Sequence, residues 1–149
     1  MHSVLFLDFD GVLHPIGGNA SGAPFGRLPL LEAMLRETRC AAVRIVVSST
    51  WREAYSLSRL RSVFAPDLRA RVIDVTPTLD DYDGAYARWH EIKAWLALHP
   101  EVERYAALDD MVSGFPVEQH RHVAFTDGST GLREADLVAV RKMLGVTQQ

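Results

Sequence analysis

Val4-Leu5-Phe6-Leu7 is an unbroken apolar run that leads straight into Asp8-Phe9-Asp10-Gly11. Such a run predicts a short strand buried on both faces, of the kind found in the middle of a parallel sheet. Open α/β sheets place their ligands just outside the carboxyl ends of their strands. Asp8 and Asp10 emerge at such an end, where a carboxylate has to be solvated, paired or bound to a cation. A D-x-D-G stretch alone is satisfied equally well by an acidic turn. Its meaning depends on what else the chain brings to that edge.

The rest of the chain alternates strand and helix signals. Residues 14–26, from His14 to Gly26, hold four glycines and two prolines and predict a loop long enough to act as a flap. Pro29 to Arg39 predicts a helix with Leu30, Leu31, Met34 and Leu35 on one face. Arg44 to Thr50 predicts a second buried strand ending in Ser48-Ser49-Thr50, and Trp51 to Phe64 a helix stopped by Pro66. Hydroxyls between a strand and a helix start suit an anion, and at least one of the three is expected to cap the helix. Arg71 to Val75 is a third strand, and Thr76 to Ala87, with Asp80, Asp81 and Asp83, an acidic surface loop. Arg88 to Leu98 is a helix, Tyr105 to Asp110 a fourth strand ending in two acids, and His122 to Thr126 a fifth. A turn at Asp127-Gly128 and a helix from Leu132 to Leu144 complete the pattern. It predicts one α/β domain over residues 1–149, built on a mostly parallel five-stranded sheet.

Bulk properties exclude several classes. At 149 residues, 48% hydrophobic and 23% charged, the chain has the make-up of a soluble globular domain. A formal net charge of −3 gives no basic surface for duplex nucleic acid, although a local groove could still be basic. Cys40 is the only cysteine, so neither a disulfide scaffold nor a cysteine zinc site can form. No apolar run approaches the ~20 residues that span a membrane. Met1-His2-Ser3 lacks a basic n-region, which makes a cytoplasmic location the default expectation.

Three strand ends carry polar chemistry: Asp8 and Asp10, Ser48 and Ser49, and Asp109 and Asp110. In a parallel sheet these ends share one edge. Several carboxylates in one cleft repel each other unless a cation joins them, and Mg²⁺ favours a few carboxylates together with a phosphate. Arg88 and Lys93 are available to complete a phosphoryl site. A calcium loop is excluded, because no Glu closes it and an apolar strand precedes it. Trp89 and Trp95 are expected to pack, and His120 and His122 show no ligand spacing.

Asp8-Phe9-Asp10-Gly11-Val12-Leu13 resembles the first motif of the haloacid dehalogenase (HAD) superfamily of phosphohydrolases. Ser48 after Ile45-Val46-Val47 resembles the second motif, and Asp109-Asp110 after Ala106-Ala107-Leu108 the fourth. The third motif is a Lys or Arg near a helix start. Arg88 fits, but Trp89 stands where the family often has glycine, so Arg88 and Lys93 both remain candidates. Ser48-Ser49-Thr50-Trp51-Arg52, Glu91-Ile92-Lys93-Ala94-Trp95-Leu96 and Thr126-Asp127 to Gly131-Leu132 further resemble the small HAD domains of "Swiss Army Knife" RNA repair proteins.

The resemblance implies a HAD-like Rossmannoid three-layer sandwich with helices on both faces of the sheet. Asp8 would be the nucleophile that forms an aspartyl-phosphate, and Asp10 the general acid and base. Mg²⁺ would be held by Asp8, the Asp10 backbone carbonyl, Asp109 and Asp110. Ser48 would bind a phosphoryl oxygen, and Arg88 or Lys93 would neutralise developing charge. Gly11, His14, Ser49 and Arg52 are the remaining candidates to contact substrate. The spacing between motifs leaves no room for a cap domain of ~60 residues, so the site is expected to be open. An open site suits a bulky phosphomonoester such as a phosphorylated nucleic acid end. A small-metabolite phosphatase and a non-hydrolytic phosphate- or metal-binding module are the other readings.

Overall fold

The computed structural model describes residues 3–16, 24–79 and 84–146. Five strands form one sheet: β1 (Ser3–Leu7), β2 (Val43–Val47), β3 (Val72–Val75), β4 (Arg104–Asp109) and β5 (Val123–Phe125). Their order is β3-β2-β1-β4-β5, and every pairing is parallel rather than mostly so. Four helices accompany them: α1 (Leu28–Leu35), α2 (Leu57–Arg61), α3 (Ala87–Ala97) and α4 (Glu134–Met143).

Alternation along β1 divides the core in two. Leu5 and Leu7 face a cluster with Leu31 and Leu35 of α1, Leu60 of α2 and Leu137 and Val140 of α4. Val4 and Phe6 face the other side, where Ile92 and Trp95 of α3 pack with Val46 and Ala107. A strand of period two therefore buries both of its faces, as its unbroken apolar sequence requires. Helices on both faces of the sheet give the expected three-layer α/β fold, with no cap domain among the described residues. No helix among those residues is long and apolar enough to cross a membrane.

Two helices are shorter than their apolar spacing predicts. The segment 29–39 splits into α1 and a 3₁₀ turn at Thr38–Cys40. The segment 51–64 is not one helix but a 3₁₀ turn, Thr50–Glu53, followed by the five-residue α2. Ser56 explains the break: its hydroxyl accepts a hydrogen bond from the Arg59 N–H and starts a new helix instead of continuing the old one. Residues 17–23 of the expected flap, and Asp80, Asp81 and Asp83 of the acidic loop, lie outside the described residues.

The chain winds from β1 outward through β2 to β3, then returns to the other side of β1 for β4 and β5. The switch point lies between the carboxyl ends of β1 and β4, where open α/β sheets form their ligand crevice.

Candidate active site

The strand register sets the site. Leu7 pairs with Val47 and Leu108, and Val47 pairs with Val75. The ladder continues one rung further, through Asp8 N–H to the Leu108 carbonyl (3.0 Å), Ser48 N–H to Leu7 (2.8 Å) and Thr76 N–H to Val47 (3.0 Å). Thr76, Ser48, Asp8 and Asp109 thus form one polar row across four adjoining strands, and all four are buried. Leu7, Val47 and Leu108 point into the core beneath α1 and α4, so the row points to the opposite face, toward α3.

Arg88, in the first turn of α3, meets the row from that face. Its Nε lies 3.2 Å from Asp109 Oδ2 and its Nη2 4.0 Å from Asp8 Oδ1. Lys93 stands five residues further along the helix, about 140° around it, and its side chain is exposed. Of the two cations considered for the third motif, Arg88 is the one the helix turns toward the acids.

One oxygen each of Asp8, Asp109 and Asp110 lies within 4.8 Å of the other two. Gly11 and Gly128 make room for Asp110. A Cβ on Gly11 would stand 2.5 Å from Asp110 Oδ2, and one on Gly128 2.8 Å from it. Gly11 also has φ +79°, a left-handed conformation that suits glycine. The Thr126 hydroxyl, buried after β5, donates to the Gly11 carbonyl at 2.7 Å and pins this turn.

Among the described residues, three carboxylates face one guanidinium, and the imbalance shows in the protonation of Asp8 and Asp109. Burial first, and then the charge of Asp109, push Asp8 up to about 8, although Arg88 and the Phe9 N–H oppose the shift. Burial also raises Asp109, to about 6. Such a cluster holds its full negative charge only with a further cation, and oxygen donors of this kind suit a hard divalent ion. Two buried donors point the same way. Among the described residues, Ser48 Oγ and Arg88 Nη1 lack any hydrogen-bond partner, as does Thr76 Oγ1 in the same row. Buried polar atoms are rarely left so unless a ligand completes them.

The other predicted residues are placed differently. The Asp10 side chain does not join the cluster; it bonds His14 Nε2 at 2.7 Å and accepts from Trp51 Nε1 at 3.1 and 3.2 Å. His14 is accordingly a partner of Asp10. Ser49 caps the 3₁₀ turn by accepting from the Trp51 N–H at 3.2 Å. Arg52 is turned inward. Its side chain is only 2% exposed, pairs with Glu91 at 2.8 Å, and donates to the carbonyls of Ser49, Thr76 and Pro77. With these donors spent inside the fold, it braces the turn after β2 against α3. Trp89 and Trp95 pack as expected, Trp89 against Tyr105 and Trp95 in the core with its Nε1 donating to Asp74. Sequence reasoning missed Trp51, Gly128 and Thr76. Trp51 was hidden because an indole at a helix start carries no signal of its own.

Strand order, absence of a cap among the described residues and the sequence in which the chain delivers acid pair, hydroxyl, arginine and second acid pair define the class, a HAD-type phosphohydrolase domain. The family model described as the HAD domain in Swiss Army Knife RNA repair proteins matches residues 4–137, and the chain belongs to that family. No curated protein and no solved structure matches it.

Proposed function

We propose that the protein is a Mg²⁺-dependent phosphomonoester hydrolase working through an aspartyl-phosphate. The observation that carries this reading is the pair of unpartnered buried donors, Ser48 Oγ and Arg88 Nη1, beside the three carboxylates. A phosphoryl group supplies acceptor oxygens for both donors and an electrophile for the acids.

The Asp8 carboxylate attacks phosphorus, and the bond to the leaving oxygen breaks as the new P–O bond forms. Asp10 gives its proton to that leaving oxygen. Water then attacks the same phosphorus, Asp10 takes the water's proton, and the Asp8–phosphorus bond breaks to release phosphate. Ser48 and Arg88 hold the phosphoryl oxygens and stabilise the charge that builds on them. Asp8, Asp109, Asp110 and the Asp10 backbone carbonyl would hold the divalent cation, which neutralises the cluster and keeps Asp8 ionised for attack.

Family membership and the absence of a cap among the described residues support a bulky substrate, with a phosphorylated nucleic acid end as the leading candidate. Hydrolysis of p-nitrophenyl phosphate is expected with Mg²⁺, and loss of it with chelator or in Asp8→Asn. Activity that survives Asp8→Asn would overturn the aspartyl-phosphate route. A panel of 3′- and 5′-phosphorylated oligonucleotides against sugar and nucleotide phosphates tests the substrate, and no preference for the oligonucleotides would discard that part.

A further inference from the structure

Asp10 has a side chain 49% exposed, yet it is held on two sides. Trp51 Nε1 reaches both of its oxygens, Oδ1 at 3.2 Å and Oδ2 at 3.1 Å, while His14 Nε2 meets Oδ1 alone at 2.7 Å. His14 Nδ1 accepts from the Phe25 N–H at 3.2 Å. A ring nitrogen that accepts carries no hydrogen, so the neutral imidazole has its hydrogen on Nε2 and donates it to Asp10. Among the described residues, Oδ1 is thereby filled by two donors, while Oδ2 shares only Trp51 and keeps a lone pair for a proton.

The surroundings enforce this arrangement. Gly11, at φ +79°, turns the chain so that its N–H bonds the His14 carbonyl at 2.8 Å, which folds His14 back over Asp10. Phe25 adopts φ 63°, a left-handed conformation that a bulky residue takes only when its neighbours impose it. That backbone aims its N–H at His14. Its ring packs edge-on against His14 at 5.0 Å, Trp51 at 5.2 Å and Phe9 at 5.7 Å.

We propose that His14 and Trp51 are positioning residues for proton transfer: they lock the Asp10 carboxyl so that Oδ2 presents its proton to the leaving oxygen. The proposal rests on the phosphomonoesterase reading above. A donor pair that merely fills the mouth of the site would affect all substrates alike. One that positions a proton matters most when the leaving group is a poor one.

The test compares kcat/KM with Mg²⁺ for p-nitrophenyl phosphate, whose leaving group needs little proton help, and benzyl phosphate, whose alkoxide needs much. Trp51→Phe and His14→Ala are expected to lose about tenfold or less on the first ester and on the order of 10²-fold on the second. His14→Gln, whose amide N–H can still donate, is expected to recover most of the benzyl loss. Equal losses on both esters, or no loss, would overturn the proposal. If Trp51→Phe fails to fold, the His14→Ala and His14→Gln pair makes the same comparison. A wild-type protein that hydrolyses neither ester removes the hydrolase reading, and the positioning role with it. A uniform loss removes the positioning role alone.

Discussion

Ser48 shows how one hydroxyl separates function from stability. Among the described residues its buried Oγ has no partner, a condition that costs a fold about 1–3 kcal/mol unless something binds it. Ser48→Ala is therefore expected to leave the melting temperature of the ligand-free protein unchanged or raised. It should also lower kcat/KM for a phosphomonoester by roughly 10²-fold, the usual loss for one such donor. Thermal melts alongside steady-state kinetics would check both halves. Ser48, Asp8 and Asp109 were legible in the sequence because each ends a strand and a parallel register aligns strand ends. Trp51, Gly128 and Arg52 were not. Their roles depend on which loop folds over which, and no local spacing encodes that.

The elements that hold α3 decide where Arg88 stands. Trp95 Nε1 ties this helix to Asp74 of β3 at 2.8 Å, and Glu91 ties it to Arg52 in the turn after β2 at 2.8 Å. Glu91 is itself largely buried, so removing its partner leaves a carboxylate stranded in the interior. Arg52→Met is expected to destabilise the fold by about 3–5 kcal/mol, measured by urea unfolding. It should also reduce turnover, although Arg52 does not reach the acid cluster. The five strands and the helix now seen as α3 were readable to within three residues, because period and length agree there. The stretch from Trp51 to Phe64 was not. Its apolar residues keep helical spacing across a break that Ser56 imposes through a single side-chain bond.

Across the whole molecule, the sheet carries its charged row at the topological switch point, and stability acquires a pH dependence from it. Asp8 and Asp109 have folded values of about 8 and about 6, above the ordinary 3.8 of the unfolded chain. The folded state thus binds these protons more tightly. The stabilisation they give is full below about pH 4 and is lost as pH rises through 6 and then 8. Glu37, held at about 2 by its hydrogen bond to Arg141, titrates below this window. Melting temperature without divalent cation is therefore expected to fall between pH 5 and pH 8.5, and saturating Mg²⁺ to reduce that fall by binding the ionised form. A flat profile in both conditions would contradict the buried cluster. The same row sets stability against activity in any search for hardier variants. In cation-free buffer at pH 8, Asp8→Asn and Asp109→Asn should melt above the parent protein, since each deletes a charge the interior resists. A thermostability selection run under those conditions would enrich proteins that have discarded the proposed nucleophile.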